Sequence, residues 1–295
     1  IEGEKLSVSE VSSNQNYIQT TVPTIATSTI EGLSANSALK TIQYFDGLGR
    51  PIQTVQANIA PDKADLITFQ EYDMSGKKTK AWLPSVAIAN NGAFVPYSDM
   101  TDKALATYSG DPVTYNRVVY EDSPLSRILE QYGPGQDWHN SDKAIRTDYL
   151  SNNSTYPCKL YTTTDNKMEV NINSTGNYTD NQLFVTRQTD EDGNIAYEFK
   201  DKLGRVVLTR QMDGVEAHDT YYVYDNYGNL RAVLPPMATD NLNAGPWKEG
   251  DPCLEQYAYL YKYDEFNRQI AKKLPGAGWI HYVYDEADRL IFSQD

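Results

Sequence analysis

Polar and apolar residues alternate along much of this chain, and the alternation stops at short clusters of Asp, Asn, Gly and Pro. Because side chains change face at every residue of a β-strand, this period of two predicts strands. Helical periodicity is scarce, and its best candidate is a short segment over residues 98–108. The pattern predicts an all-β fold of antiparallel hairpins with little helix. Three tyrosine pairs show the alternation best: Tyr222 and Tyr224, Tyr261 and Tyr263, and Tyr282 and Tyr284.

An aspartate follows each tyrosine pair and opens a recurrent motif, which continues with two variable positions, then Gly, Asn or Asp, and often a basic residue. Asp is favoured at the first position of a type I turn, where its carboxylate accepts backbone N–H groups. The residue three positions later takes a positive φ, which suits Gly, Asn or Asp. The predicted turn positions are Asp46 and Gly49, Asp73 and Gly76, Asp201 and Gly204, Asp225 and Gly228, Asp264 and Asn267, and Asp285 and Asp288.

The regular recurrence of these aspartates favours a structural role, since a catalytic group is needed once and a turn residue is needed in every hairpin. The basic residues of the motif are predicted to pair with the aspartate of a neighbouring hairpin or to lie on tyrosine rings, and not to hold a ligand. These residues are Arg50, Arg205, Arg268 and Arg289.

The copies resemble the YD repeats of the bacterial RHS-repeat family. The resemblance rests mainly on residues 44–84 and 199–295, and it includes a Leu-Pro pair that ends the returning strand, as at Leu83, Leu234 and Leu274. Residues 132–139 are similar to the amino-terminal region of large RHS-type proteins. The resemblance implies stacked hairpins in a curved sheet or partial shell, within a larger secreted or cell-surface protein whose repeats enclose a carboxy-terminal effector, often a toxin.

Repeat regularity divides the chain into three segments. Residues 1–40 are predicted to be an extended arm that either adds an edge strand or acts as a linker. Residues 41–198 form a β-rich region with degenerate repeats, including a hairpin over 117–132 with one residue inserted in its turn. Residues 199–295 carry the regular repeats, in an array that is expected to continue beyond Asp295. Loops are predicted over residues 173–181 and 237–252.

Composition limits the possible partners. The formal charge of −14 and the pI near 4.7 argue against nucleic acid, because affinity for phosphates comes from Lys and Arg. No apolar run is long enough for a membrane span. Cys158 and Cys253 either pair in an exported protein or remain two unrelated thiols, and the second interpretation is favoured. The partners expected are the remainder of the same polypeptide and, in one alternative, glycans.

No motif for a nucleophile, phosphate loop or metal site is present, so we expect no enzyme activity, no metal and no cofactor. Residues 190–194 have the carboxylate density of a calcium loop, but their Gly falls at the fourth position and not the sixth, which favours a hairpin turn. Trp138 and Trp247 lie in loops containing Gly and Pro, where exposed rings could stack on sugars. The alternative function is therefore an extracellular carbohydrate- or adhesion-binding module.

Overall fold

The computed structural model describes residues 12, 14–30, 33, 36–242 and 245–295. Residues 1–11, 13, 31–32 and 34–35 of the predicted arm lie outside the described residues. The chain divides into two compact units, residues 1–146 and 147–295. This division follows spatial contacts, whereas the predicted segments 1–40, 41–198 and 199–295 follow the regularity of the repeats.

Antiparallel strands dominate the first unit, and the all-β prediction is confirmed. Its helix α1 lies close to the predicted segment 98–108, while the short α2 was not predicted. Its elements are β1 (Asn16–Pro23), β2 (Ala38–Phe45), β3 (Pro51–Ala57), a 3-10 turn (Pro61–Lys63), β4 (Asp65–Tyr72), β5 (Lys78–Trp82), β6 (Ser85–Ala87), α1 (Tyr97–Thr107), β7 (Tyr115–Tyr120), β8 (Ile128–Tyr132), α2 (Gln136–Asn140) and the start of β9 (Ile145–Ser151).

The strands of the first unit follow one another in space nearly as they do in sequence. β1, β2, β3 and β4 pair in that order, so the described part of the predicted arm adds an edge strand. Besides β3, β4 has two further partners. Its first residues, 65–67, pair with β6, and its last residues, 70–72, pair with β5. β5 continues through β7 and β8 to the first residues of β9.

Alternating apolar residues of β2, β3 and β4 form the core of the first unit. Ile42, Val55 and Ile67 are buried together against Met100 and Ala104, which lie one helical turn apart on α1. Spacing of four residues places both helical side chains on one face. The helix therefore covers one face of this part of the sheet.

Buried polar side chains hold the irregular segment between β6 and α1 onto the same strands. The Tyr44 hydroxyl donates to the carbonyl of Gly92 (2.6 Å). The Gln53 amide makes both bonds to the backbone of Val95, donating at 2.8 Å and accepting at 2.9 Å. The Asp65 carboxylate accepts the backbone N–H of Gly92 (2.6 Å) and of Asn58 (2.9 Å). These bonds replace the ladder contacts that an irregular segment lacks.

The second unit is a meander in which each strand pairs with the next along the chain, from β12 to β21 with the two-residue β17 left out. Its elements are the rest of β9, β10 (Lys159–Thr163), β11 (Asn171–Asn177), β12 (Phe184–Thr189), β13 (Ile195–Lys200), β14 (Val206–Asp213), β15 (Glu216–Tyr224), β16 (Leu230–Leu234), α3 (Pro236–Asn241), β17 (Trp247–Lys248), α4 (Pro252–Tyr257), β18 (Tyr259–Tyr263), β19 (Gln269–Lys273), β20 (Trp279–Tyr284) and β21 (Leu290–Gln294).

Two predicted loops of the second unit contain regular structure. The segment 237–252 takes part in α3, β17 and α4, because Ala238 and Leu254 give these short helices a buried contact with the core. The segment 173–181 begins inside β11, which pairs with β10 and β17 in a small separate sheet. Its polar sequence concealed this strand, since the pairing uses backbone groups and leaves several side chains in solvent.

We predict that Asp65→Ala lowers the free energy of unfolding by about 2–4 kcal/mol, because it leaves the buried N–H of Gly92 and the partly buried N–H of Asn58 without an acceptor. Urea denaturation checks this value. Asp102→Ala, which removes an exposed carboxylate from α1, is the matched control and is expected to change stability by less than about 0.5 kcal/mol. Equal effects of the two substitutions would contradict the anchoring role of Asp65.

Candidate functional site: a repeated contact between hairpins

The turn at Asp46 shows the geometry of the recurrent motif. Its Oδ1 accepts the backbone N–H groups of Leu48 and Arg50, each at 2.9 Å. Gly49 donates its N–H to the Asp46 carbonyl (3.0 Å) and has a φ of 77°. The register between β2 and β3 shifts at Tyr44 and Phe45, which marks the bulge. The motif is a type I turn with a glycine in the left-handed region.

The same carboxylate bonds, to the N–H groups two and four residues on, recur at every predicted turn aspartate. Asp190, which the sequence analysis did not count among the copies, makes them too, to Asp192 and Asn194. The residue three positions on has a positive φ in each case. These residues are Gly49, Gly76, Gly193, Gly204, Gly228, Asn267 and Asp288.

Glu121 replaces the aspartate in the hairpin between β7 and β8. Its carboxylate accepts bonds from the Arg127 guanidinium (2.7–3.0 Å) and the Ser123 hydroxyl (2.7 Å). Arg127 lies six residues after Glu121, whereas the motif base lies four residues after its aspartate, so two residues are inserted and not one. The longer glutamate side chain spans the wider turn. The bonds from Arg127, with that from Ser123, lower the pKa of Glu121 to about 2.

The turn base bonds to the aspartate of its own turn, which corrects the predicted pairing with the aspartate of a neighbouring hairpin. The other predicted role, contact with a tyrosine ring, is observed for Arg50, Arg205 and Arg268. Arg50 Nε lies 2.7 Å from Asp46 Oδ2, and Arg205 Nε lies 2.7 Å from Asp201 Oδ2. The backbone N–H of Arg50 is the largest cause of the lowered pKa of Asp46. Desolvation raises the pKa of Asp201, but the bonds from Arg205 outweigh it and lower the pKa. Arg268 is the exception, since it also reaches Asp288 of the next turn (2.6 Å).

Neighbouring hairpins meet through the tyrosine that precedes the turn acid. Its hydroxyl donates to the carbonyl of the residue five positions after the turn acid of the preceding hairpin. We call this bond, together with the ring contact described next, the rung contact. The hydroxyl bonds are Tyr72 to Pro51 (2.9 Å), Tyr120 to Lys78 (2.9 Å), Tyr263 to Leu230 (3.0 Å) and Tyr284 to Gln269 (2.9 Å).

For three of these tyrosines, and also for Tyr224, the ring lies near the turn base of the preceding hairpin, at distances typical of cation–π contacts. The side chains of Arg50, Arg205 and Arg268 thus each pair with their own turn acid and also contact the tyrosine of the next hairpin. The distances from the cation to the ring centroid are 4.6 Å for Arg50 and Tyr72, 5.4 Å for Lys77 and Tyr120, 5.0 Å for Arg205 and Tyr224, and 5.2 Å for Arg268 and Tyr284.

The Asp225 hairpin departs from this pattern, because Asn229 occupies the position of the turn base. Asn229 bonds to Asp225 (3.0 Å) and to Asn267 of the next turn (3.1 Å). The guanidinium is supplied two residues later by Arg231, whose side chain is fully buried. Burial lowers the pKa of Arg231, although the Asp225 carboxylate 3.7 Å away opposes this effect. The positive charge near the turn acid can therefore come from a residue other than the one four positions after it.

Arg231 also fixes the loop between β10 and β11, a role that the sequence did not indicate. Its guanidinium donates to the carbonyls of Asn166 (3.1 Å), Lys167 (3.2 Å) and Glu169 (2.7 Å). Lys167 in turn lies 4.1 Å from the Tyr227 ring centroid. This loop thus covers the turn of the Asp225 hairpin.

The two tryptophans proposed for ligand stacking differ in exposure. Trp138 is 41% exposed, whereas Trp247 is 9% exposed and packs in the core near Tyr161. The carbohydrate-binding alternative therefore depends on Trp138. Cys158 and Cys253 are free thiols. Among the described residues, no three acidic, His or Cys side chains converge as a metal site, and no helix has the length and apolarity of a membrane span.

Comparisons with known proteins agree with this β architecture. A family model described as "Domain of unknown function (DUF6443)" matches residues 18–151. The chain is similar in fold to TcdB2-TccC3-TEV (TM-score 0.54, 13% identity) and to a Photorhabdus luminescens Tc holotoxin pore (TM-score 0.52, 14% identity). In both cases, 87% of this chain aligns with 11% of the other chain. No curated protein matches the sequence. Identities this low show the fold alone.

We predict that Tyr263→Phe lowers the free energy of unfolding by about 1 kcal/mol, because the carbonyl of Leu230 loses its donor. Tyr261→Phe, on the same face of β18, is the matched control. The Tyr261 hydroxyl makes no hydrogen bond within the described part of the chain, so its removal is expected to change stability by less than about 0.5 kcal/mol. Urea denaturation compares the two variants, and an equal loss in both would contradict the hydroxyl bond as the stabilising element.

We also predict a pH dependence from Glu121. Its folded pKa of about 2 lies below the unfolded value, so its contribution to stability is complete above the unfolded pKa and is lost as the pH falls through about 2. The difference in unfolding free energy between the native protein and Glu121→Gln should be constant above about pH 5 and shrink below about pH 4. Urea denaturation over this pH range measures it. A difference that does not change with pH would contradict the assignment.

Proposed function

We propose that this chain is a non-catalytic wall segment of an RHS-type shell. In this proposal it is the amino-terminal part of a larger secreted or cell-surface protein whose repeats enclose a carboxy-terminal effector or toxin. The observation that carries the proposal is the rung contact, which recurs between neighbouring hairpins of both units. The similarity in fold to TcdB2-TccC3 supports it as well.

The two sides of the rung contact are different and complementary, so hairpins that carry both sides can form an extended wall. The Asp73 and Asp264 hairpins each present a tyrosine on one side and a turn base with a backbone carbonyl on the other. Hairpins that carry both sides can be added in sequence without any new interaction. A contact that served only to close a single domain has no reason to recur in this form.

The state of the turn acids favours a scaffold over an enzyme. The Asp46 carboxylate is engaged by two backbone N–H groups and by Arg50, and Asp264 is engaged in the same way by Phe266 and Arg268. A general acid or base needs an accessible position and a pKa near the working pH, whereas these bonds lower the carboxyl pKa. The repeated acids are therefore assigned to folding.

The partner that best fits the hairpin of β20 and β21 is a further repeat of the same polypeptide. The residue seven positions after the turn acid is buried in four other hairpins, whereas its counterpart Phe292 is 70% exposed. The Arg289 guanidinium is bound to its own Asp285 and is 78% exposed. A tyrosine of another hairpin could lie on it in the manner of the other rung contacts. The buried counterparts are Gln53, Leu208, Ala232 and Ala271.

Limited proteolysis of the full-length protein that contains this chain tests the proposal. Trypsin should cut exposed turn tips such as the one at Lys202 while a carboxy-terminal segment stays intact. The double variant Arg268→Ala with Tyr284→Phe removes one rung contact and should speed cleavage of that segment by about tenfold. Tyr282→Phe, on the same strand, is the control and should leave the rate unchanged.

Two outcomes would contradict the proposal. One is a carboxy-terminal segment that is cleaved as fast in the full-length protein as when it is expressed alone. The other is equal cleavage of the double variant and the Tyr282→Phe control, which would mean that the rung contact does not control access.

A further inference from the structure

The outer edge of β1 has no partner among the described residues. β1 pairs with β2 over its whole length, from Asn16 opposite Phe45 to Pro23 opposite Ala38, and with no other described strand. Most of its side chains are exposed. An open edge carries unpaired backbone N–H and C=O groups and is a template for another strand.

The register of β1 and β2 shows which residues carry these groups. Thr24 continues the register and donates its N–H to the carbonyl of Ser37 (2.9 Å). Antiparallel pairs alternate between hydrogen-bonded and non-hydrogen-bonded residues, so Val22, Thr20 and Ile18 also bond to β2. The intervening residues direct their backbone groups outward. These are Tyr17, Gln19, Thr21 and the carbonyl of Pro23.

The side chains at this edge lack the features that usually prevent pairing. Natural edges carry charges, bulges or a central proline. No Asp, Glu, Lys or Arg occurs from residue 14 to residue 30, in a chain whose net charge is −14. Ile18 is 59% exposed and Val22 is 52% exposed. The neutral edge is therefore a place where two copies of an acidic chain can approach with little repulsion.

We propose that two copies of this chain pair through β1, antiparallel and centred on Thr20. Only every second residue directs its backbone outward, so the second strand can shift only by two residues at a time. Each such shift moves the two-fold axis by one residue. The register centred on Thr20 places Ile18 opposite Val22 of the second copy, Gln19 opposite Thr21, and Thr20 opposite itself. Registers centred on Gln19 or Thr21 lose the apolar pair. The strand is thus complementary to its own copy.

The pairing supplies about six backbone hydrogen bonds, since Pro23 lacks an N–H. Leu39, which lies opposite Val22 on β2 and is exposed, extends the apolar strip on each copy. One strand–strand contact buries less than the roughly 1,200 Å² of a standard interface, so the dimer is weak and concentration-dependent. The contact uses none of the rung contacts, so it does not depend on the proposed function.

Sedimentation equilibrium of the purified chain across about 1 μM to 1 mM tests the proposal. The mass is expected to rise from 33.3 kDa towards twice that value. Thr20→Lys places two ammonium groups opposite each other at the two-fold axis and should weaken the dimer by at least about tenfold. Thr20→Glu should do the same. An equimolar mixture of the two variants should restore association, because opposite charges then meet.

Thr179→Lys is the matched control, since it adds the same charge at an exposed site of the other unit and should leave the dimer unchanged. Circular dichroism of each variant reports whether it folds. A chain that stays monomeric over the whole range overturns the proposal. So does a dimer that Thr20→Lys leaves intact, or a pair of variants that fails to associate when mixed. A monomer in which the Gln19 and Thr21 amides resist hydrogen exchange also overturns it, because the edge is then covered by the chain itself.

Discussion

The fold depends on giving a tyrosine hydroxyl an acceptor when its ring packs against the preceding hairpin. A buried hydroxyl without a partner costs more free energy than its bond contributes, so a ring of this kind fits only where a carbonyl is fixed in place. The turn supplies that carbonyl at a constant position, five residues after the turn acid, as in the bond from Tyr72 to Pro51. The need for a donor explains why tyrosine, and not phenylalanine, occupies positions 72, 120, 263 and 284.

The turn base connects this contact to the geometry of its own turn. Arg50 is held by Asp46 through a short bond, and its guanidinium therefore has a defined position from which to meet the ring of Tyr72. A cation that was free to rotate would lose more side-chain entropy on contact. The bond between Arg50 and Asp46 thus places the guanidinium where the tyrosine of the next hairpin contacts it. One residue links the geometry of its own turn to the contact between hairpins.

The sequence was sufficient to predict the turns, which depend on neighbouring residues. It was not sufficient to predict contacts between residues that are far apart in the chain. The positions of Asp46 and Gly49 could be predicted because turn formation depends on residues within one turn. The role of Glu121 was missed because a longer acid and two extra residues preserve the geometry while changing the motif. The role of Arg231 was missed because its acceptors lie about 65 residues away in the chain, at Asn166 and Lys167. Burial of Trp247 also depends on distant residues.

Within the described part of the chain, the hairpin of β20 and β21 and the edge of β1 are open in different ways, and the difference bears on what each can bind. The hairpin offers a held cation, Arg289, and an exposed Phe292 at a position that is buried in four other hairpins, so under the proposed function its partner is a tyrosine-bearing hairpin. The edge of β1 offers mainly backbone groups, which any extended strand can bond. Selectivity at β1 must then come from the side chains, and there the symmetry of Ile18 and Val22 about Thr20 favours the same strand from a second copy.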